Sequence, residues 1–348
     1  MLRIDGSQGE GGGQVLRTSL SLSALTGRPF RIENIRANRS RPGLRPQHLT
    51  AVRAVAALCG AELVGDGIGE TVLEFRPTAR PAGGFYEVDV TEASPGGQSA
   101  GAVTLIFEAM LWPLLFAEEP THLMLKGGTF VPFSPSYHYL AEAVGPAFAR
   151  FGVEFSTELR KWGWMTGGGG IVEAAITPVK SLQGVRFEPV TDDTVRGVAA
   201  VTNLPSHIPH RMARRAHNLI EQMGLKAAVS AVRENGVGPG AGIILWRTQA
   251  GFSSLGRRGL PADKVAEAAV ADLAAFLDNG TAVDKYLADQ LLIPMALAQG
   301  QSSLTTDHLT RHTLTNSALL RQWLDVSIRI DGELGETAEI TVDGAGIV

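Results

Sequence analysis

One histidine near the end of the sequence stands among hydroxyls and an amide: Thr310, Arg311, His312, Thr313, Leu314, Thr315, Asn316. Periodicity predicts a helix from Arg311 to Leu324. His312 falls in its first turn, with Thr315 and Asn316 three and four places on, along the same face. These neighbours can orient an imidazole or meet a phosphate. His308, in the preceding loop, is a rival, and a lone histidine on a helix is more often structural than catalytic. At the other end of the chain, residues 9–13 are glycine except for Glu10, and Gln14 and Arg17 follow. Glycines let backbone approach a ligand, and the N–H groups of a helix start favour anions. A carboxylate there suits a divalent cation travelling with the phosphate. The same composition also suits a Gly-rich hairpin or linker. It is not a Walker A loop, since no Lys-Ser/Thr pair follows the last glycine.

Two further groups have chemistry to offer. Arg36, Arg39, Arg41 and Arg45 follow a strand end, with Gln47 and His48 at the next helix start. Guanidinium forks suit phosphate oxygens. A solvated charged loop is the common fate of such runs, but this one has no balancing acid. Tyr286, Asp289 and Gln290 share one face of an otherwise apolar helix and form a polar island that can stack on and hydrogen-bond a base. An exposed helix end would look the same. A zinc cage is excluded by the single cysteine, Cys59, and by the histidine spacing. No G-x-S-x-G elbow is present.

The elements that must position these residues repeat. Strand 2–5, helix 14–25, strand 30–35, helix 48–58 and strands 62–64 and 71–76 open the chain. Helix 99–116, strand 122–126, helix 139–151 and strands 154–159 and 170–177 follow the same order. So do helix 284–298, strand 302–306, helix 311–324 and strands 326–330 and 339–342. The expected class is α/β (α+β): three repeated units of two helices on a four-stranded sheet, packed through their helices into one large domain of residues 1–182 and 279–348. Residues 183–278 form a smaller inserted α/β domain. Its strands are expected near Phe187 and over 227–233 and 242–248, and its helices over 208–224 and 261–277. Arg211, Arg214 and Arg215 there can touch RNA or simply face solvent. With 348 residues, 44% apolar, 19% charged and a net charge of −4, the chain reads as an ordinary globular protein that does not coat nucleic acid. The longest apolar stretch, 109–117, is too short to span a bilayer. The polar start and the lone cysteine suit a reducing cytoplasm.

Over essentially its whole length the sequence resembles the RNA 3′-terminal phosphate cyclases. The resemblance rests on Asp5 to Arg17, Ile35 to Arg39, Pro42 to Leu49, Ser99 to Leu105, Gly127 to Thr129, Tyr286 to Pro294, and Thr310, His312, Thr315 and Asn316. It implies ATP and Mg²⁺ or Mn²⁺ as cofactors and an RNA 3′-phosphate end as partner. It also implies a histidine, here His312, that takes AMP from ATP and passes it to the RNA. The neighbouring 2′-OH then displaces AMP and closes a 2′,3′-cyclic phosphate. By the same resemblance Glu10 is the acid near metal and nucleotide, and Arg17, Arg36, Arg39 and Gln47 serve the phosphates or the RNA end, with Arg41 and Arg45 beside them. Gln14, Asp289 and Gln290 belong to the nucleotide site, with Tyr286 and Pro132 on the two faces of the adenine. His138, Glu108 and Thr166 depart from the usual pattern and bear on substrate preference. Two other readings stand beside this one. The first is a non-catalytic cyclase-like RNA-binding protein, which would lack the histidine and several arginines. The second is an enolpyruvyl-transferase-like enzyme, which needs no adenylate pocket.

Overall fold

Glycines and polar caps set the helix ends in the computed structural model, which describes residues 1–347 apart from Pro95, Gln98 and Thr166. The chain opens with β1 (Leu2–Asp5), α1 (Gly13–Thr26), β2 (Phe30–Glu33), α2 (Pro46–Cys59), β3 (Glu62–Val64) and β4 (Leu73–Arg76). α1 stops at Gly27 and α2 at Gly60, both in the left-handed region that glycine enters freely. Pro46 opens α2, where its missing N–H is no loss. Next come β5 (Gly84–Asp89), α3 (Val103–Leu115), β6 (Thr121–Gly127) and α4 (Tyr137–Tyr139). A π-helical turn (Leu140–Val144) joins α4 to α5 (Gly145–Ala149), and β7 (Glu154–Lys161) and β8 (Gly170–Thr177) follow. After them run β9 (Thr194–Thr202), α6 (His207–Gln222), β10 (Lys226–Glu234), β11 (Gly240–Arg247), β12 (Ala250–Leu255) and α7 (Ala262–Asn279). The chain closes with α8 (Lys285–Leu297), β13 (Gln301–Thr306), α9 (Arg311–Trp323), β14 (Ser327–Asp331) and β15 (Ala338–Asp343).

This is a mixed α/β fold with several four-stranded sheets. Their orders are β1-β2-β4-β3, β5-β6-β8-β7 and β10-β9-β11-β12. In the first two, the opening pair is parallel and the others antiparallel. The last sheet is three-stranded, β13-β15-β14. The segment around Phe187 lies alongside it rather than with β9: Gln183 and Arg186 form parallel bridges to Gln299 and Ser303. Phe187 is buried in the core shared by α1, α3 and α8, so burial, not chain order, decides its place. β5, β9 and β12 were not anticipated. β9 carries Gly197 in its middle, which breaks the alternating pattern.

α1 packs on α2, α3 and α9, and α9 packs on α8. α3 is apolar nearly all round and almost wholly buried, as a helix with no polar face must be. Cys59 lies in this core. A second buried cluster, from Val195 to Phe276, lies between the β9–β12 sheet and helices α6 and α7. Where the two meet, aromatic rings lie on bare glycines. A Cβ on Gly240 would come within 2.1 Å of Trp164, one on Gly242 within 2.9 Å of Phe130, and one on Gly251 within 2.5 Å of Tyr139. Phe130 stacks on Trp164, and Trp164 on Trp162 (5.4 Å, 9°). His138 lies between Trp162 and Trp246. No helix among the described residues is long and apolar enough to cross a membrane.

Candidate active site

The glycine loop lies directly against the first turns of α9. Gly9 has φ +59, and a Cβ there would fall 1.9 Å from the Thr315 hydroxyl, so no larger residue fits. This contact brings Glu10 to His312 across almost the whole length of the chain. Glu10 Oε2 lies 2.5 Å from His312 Nε2 and 3.3 Å from an Arg39 nitrogen. On the other side of the ring, His312 Nδ1 lies 2.6 Å from Gln14 Oε1. Gln14 Nε2 in turn donates to both oxygens of Asp289, at 2.7 and 2.8 Å.

That chain fixes proton positions. An ionised Asp289 only accepts, and with it Gln14 offers Asp289 its NH₂ and His312 its carbonyl. Gln14 Oε1 can only accept, so Nδ1 carries a hydrogen. The reactive lone pair of a neutral His312 is then on Nε2, the atom that faces Glu10. Glu10 Oε2 stands in front of Nε2 at 2.5 Å, so the carboxylate must move aside before that nitrogen can be reached. Asp289 is pushed up by burial, against the pull of His312 and its hydrogen bonds to Gln14 and Asn316.

Local structure explains the placement. Thr310 caps α9 by accepting from the Thr313 N–H, which sets His312 in the first turn. Asp284 caps α8, accepting from the Tyr286 and Leu287 N–H groups at 2.8 and 3.1 Å. It also accepts from the Tyr139 hydroxyl at 2.9 Å and the Gly251 N–H at 3.0 Å. Burial holds Asp284 up at about 6 despite these bonds. Thr315 and Asn316 do share the His312 face, but their hydrogen bonds go elsewhere. Thr315 bonds back to the Arg311 carbonyl at 2.7 Å, and Asn316 ties Thr18 to the Asp289 carbonyl.

A cavity of about 900 Å³ opens over this relay. Its walls include Glu10, Gln14, Arg17, Arg36, Arg39, Gln47, Pro132, Tyr286, Asp289, Gln290 and His312, so these expected residues are brought together. Arg41 and Arg45 are not in the wall. The Arg41 backbone carbonyl instead accepts from Arg36, at 2.7 Å. Gln47 Oε1 accepts from the Ala102 N–H at 3.2 Å, so it is part of the wall's own structure. His308 does not reach the cavity.

On the cationic side of the cavity Arg17 and Arg36 are the more buried and Arg39 is exposed. Arg17 is lowered by burial, against the pull of Glu108 and Asp289. Arg36 is lowered by burial and by Arg39 and Arg45. His48 sits beside them and is driven to about 3 by burial and the same cations, so it is neutral. Arg17 and Arg36 are thus cations held against the cost of burial, Arg39 pairs with Glu10 at 3.3 Å, and guanidinium groups so grouped suit phosphate oxygens. Glu108 faces the cavity with Oε1 unpartnered and stands at about 8, raised by burial, lowered by Arg17 and raised by Asp289. Burial thus favours its protonated form. Gln290 Oε1 is also buried without a partner.

Of the departures from the usual pattern, Glu108 lines the site. His138 is in the aromatic stack instead, driven to about 4 by burial. Thr166 lies outside the described residues. Sequence reasoning missed Tyr139 and Asp284, although an Asp two places before Tyr286 is a recognisable N-cap. Arg211 and Arg215 are paired with Asp263 (2.6 Å) and Glu267 (2.8 Å), which fits a solvated helix face. Among the described residues no group of three or more His, Cys, Asp or Glu can hold a metal ion.

A family model described as RNA 3′-terminal phosphate cyclase matches residues 8–330. The RNA 3′-terminal phosphate cyclase of Nostoc punctiforme is 47% identical over 336 residues, covering 95% of this chain and 96% of its own. That of Pyrobaculum neutrophilum is 40% identical over 352 residues, covering 99% of each. Among solved structures, the enolpyruvyl transferase NikO from Streptomyces tendae aligns with a TM-score of 0.39 and 13% identity, over 99% of this chain and 49% of that one. That likeness is too loose to argue from.

Proposed function

Because the chain belongs to the RNA 3′-terminal phosphate cyclase family, we propose that its cavity uses ATP to convert an RNA 3′-phosphate into a 2′,3′-cyclic phosphate. The observation that carries the reading is the fixed imidazole: Gln14 holds Nδ1–H at 2.6 Å, leaving Nε2 as the attacking atom. In the first step the Glu10 carboxylate moves aside from Nε2, baring the lone pair of the neutral ring. Nε2 then bonds to the α-phosphorus of ATP as the bond to pyrophosphate breaks. In the second step an oxygen of the RNA 3′-phosphate attacks that phosphorus, frees Nε2 and leaves an RNA–pp–A end. In the third, the 2′-OH attacks the RNA phosphorus and releases AMP, closing the ring.

Negative charge builds on the equatorial oxygens in each step, and Arg17, Arg36 and Arg39 line the cavity where it must be met. Tyr286 and Pro132 take the adenine faces, and Gln290 offers its unpartnered oxygen to the nucleotide. Asp289 acts through Gln14. Gln47, Arg41 and Arg45 lie toward the RNA strand. Glu10 with substrate phosphate oxygens fits Mg²⁺ or Mn²⁺, which bind through few carboxylates and would neutralise phosphate charge. The fold is then read as three repeats, the third split after the Phe187 segment by an insert running from β9 to α7.

The test is incubation with α-labelled ATP and Mg²⁺ or Mn²⁺, followed by acid and base treatment. An acid-labile, base-stable label is expected, and it disappears in His312→Ala. Label retained by His312→Ala refutes the nucleophile. No label on the parent protein favours a non-catalytic RNA-binding role.

A further inference from the structure

Phe133 is fully solvent-exposed, at 103% of its reference area, and its φ is +62. That region of backbone space suits glycine, and a bulky residue there is an outlier that needs a cause. Folding does not supply one, because the ring buries nothing. Nor is the segment a loose tip. Phe130 and Val131 before it are buried. Ser134 donates to the Val131 carbonyl at 3.1 Å, Thr104 to the Pro135 carbonyl at 2.8 Å, and Ser136 caps α4. The loop between β6 and α4 is therefore pinned on both sides of Phe133, and it holds the ring out at the wall of the cavity that contains His312, Arg36 and Arg39.

On the cyclase reading, on which this inference rests, two nucleotides must meet at one phosphorus. Pro132 and Tyr286 are taken by the adenine. We propose that Phe133 is a stacking platform for the terminal base of the RNA, fixing that nucleotide while its phosphate reaches the arginines. An aromatic face accepts any base, so the contact contributes affinity with little sequence preference. Loss of one such stack weakens binding roughly five- to 150-fold.

Phe133→Gly separates this from the alternatives, since it removes both ring and strain. Phe133→Trp restores a ring. The substrate is an oligoribonucleotide ending in a 3′-phosphate with 2-aminopurine as its last base. Phe133→Gly is expected to melt no lower than the parent and to take label from ATP at the parent rate. Its KM for RNA should rise within the range above while kcat changes little, and the 2-aminopurine quenching should be lost. Phe133→Trp should recover KM and quenching. Unchanged KM and quenching in Phe133→Gly overturn the proposal. A matching loss of ATP labelling assigns the ring to adenine and also overturns it. A clear fall in melting temperature makes the ring structural. Absence of ATP labelling in the parent defeats the cyclase reading instead, and the quenching titration still judges Phe133.

Discussion

Gln14→Met tests the relay at its centre. Methionine keeps the length and bulk of glutamine, so packing around α1 is little changed. It removes the acceptor 2.6 Å from His312 Nδ1 and the donor 2.7 and 2.8 Å from the Asp289 oxygens. The imidazole then loses the partner that keeps its hydrogen on Nδ1 and its lone pair on Nε2. A hydrogen bond to a group that becomes charged contributes about 1.5–3 kcal/mol. At about 1.4 kcal/mol per decade, adenylylation should slow roughly ten- to 150-fold. Rapid-quench labelling with α-labelled ATP at saturating nucleotide reads this rate directly. If Gln14→Met labels as fast as the parent, the orientation argument fails. A second arm uses Asp289→Asn. If Asp289 acts through Gln14, adding Asp289→Asn to Gln14→Met costs nothing further in rate. Losses that multiply, to within about twofold, show two independent effects and refute the relay.

Two predictions concern the buried acids around the site. Glu108 titrates at about 8 in the fold, mainly through burial, against an ordinary 4.5. Between those values the folded chain keeps a proton that the unfolded chain releases, so stability falls as pH rises through the window. Glu108→Gln should remove that slope, with a melting advantage over the parent that widens toward pH 8; parallel profiles refute it. Tyr139→Phe deletes a 2.9 Å donor to Asp284 and should cost about 1.5–3 kcal/mol in urea unfolding. The cost should grow as pH rises past about 6, where the carboxylate ionises. It should raise KM for ATP through the start of α8. A pH-independent loss assigns it to packing alone.

Much of the framework was legible because its signals are local. Gly27 and Gly60 mark helix ends, and β3 lies at Glu62–Val64, where a strand was expected. The wall residues were legible as types: arginines without acids, a carboxylate among glycines, a histidine among hydroxyls. Their pairing was not. Gln14 and His312 are 298 residues apart, and nothing in the spacing around either says that they meet. Face-sharing on α9 grouped Thr315 and Asn316 with His312, but helical period fixes direction and not what lies opposite, and their hydrogen bonds to Arg311, Thr18 and Asp289 could not be read from it. The Phe187 strand was assigned by chain order, while its burial ties it to β13. The exposure and strain of Phe133 have no sequence signature, because backbone dihedrals at a loop residue depend on the anchors to either side.

The ring-on-glycine joint between β11, β12 and the main body has an optical consequence. Of the five tryptophans, Trp162, Trp164 and Trp246 line that joint, while Trp112 and Trp323 are deep in the main core. Two indoles stacked 5.4 Å apart and nearly parallel share their excitation. The joint therefore imprints its own near-ultraviolet circular dichroism. Separation of the β9–α7 segment takes Trp246 and the Gly240 backbone away from that pair, which stays on the main body, and so alters the band while the core tryptophans still report a folded protein.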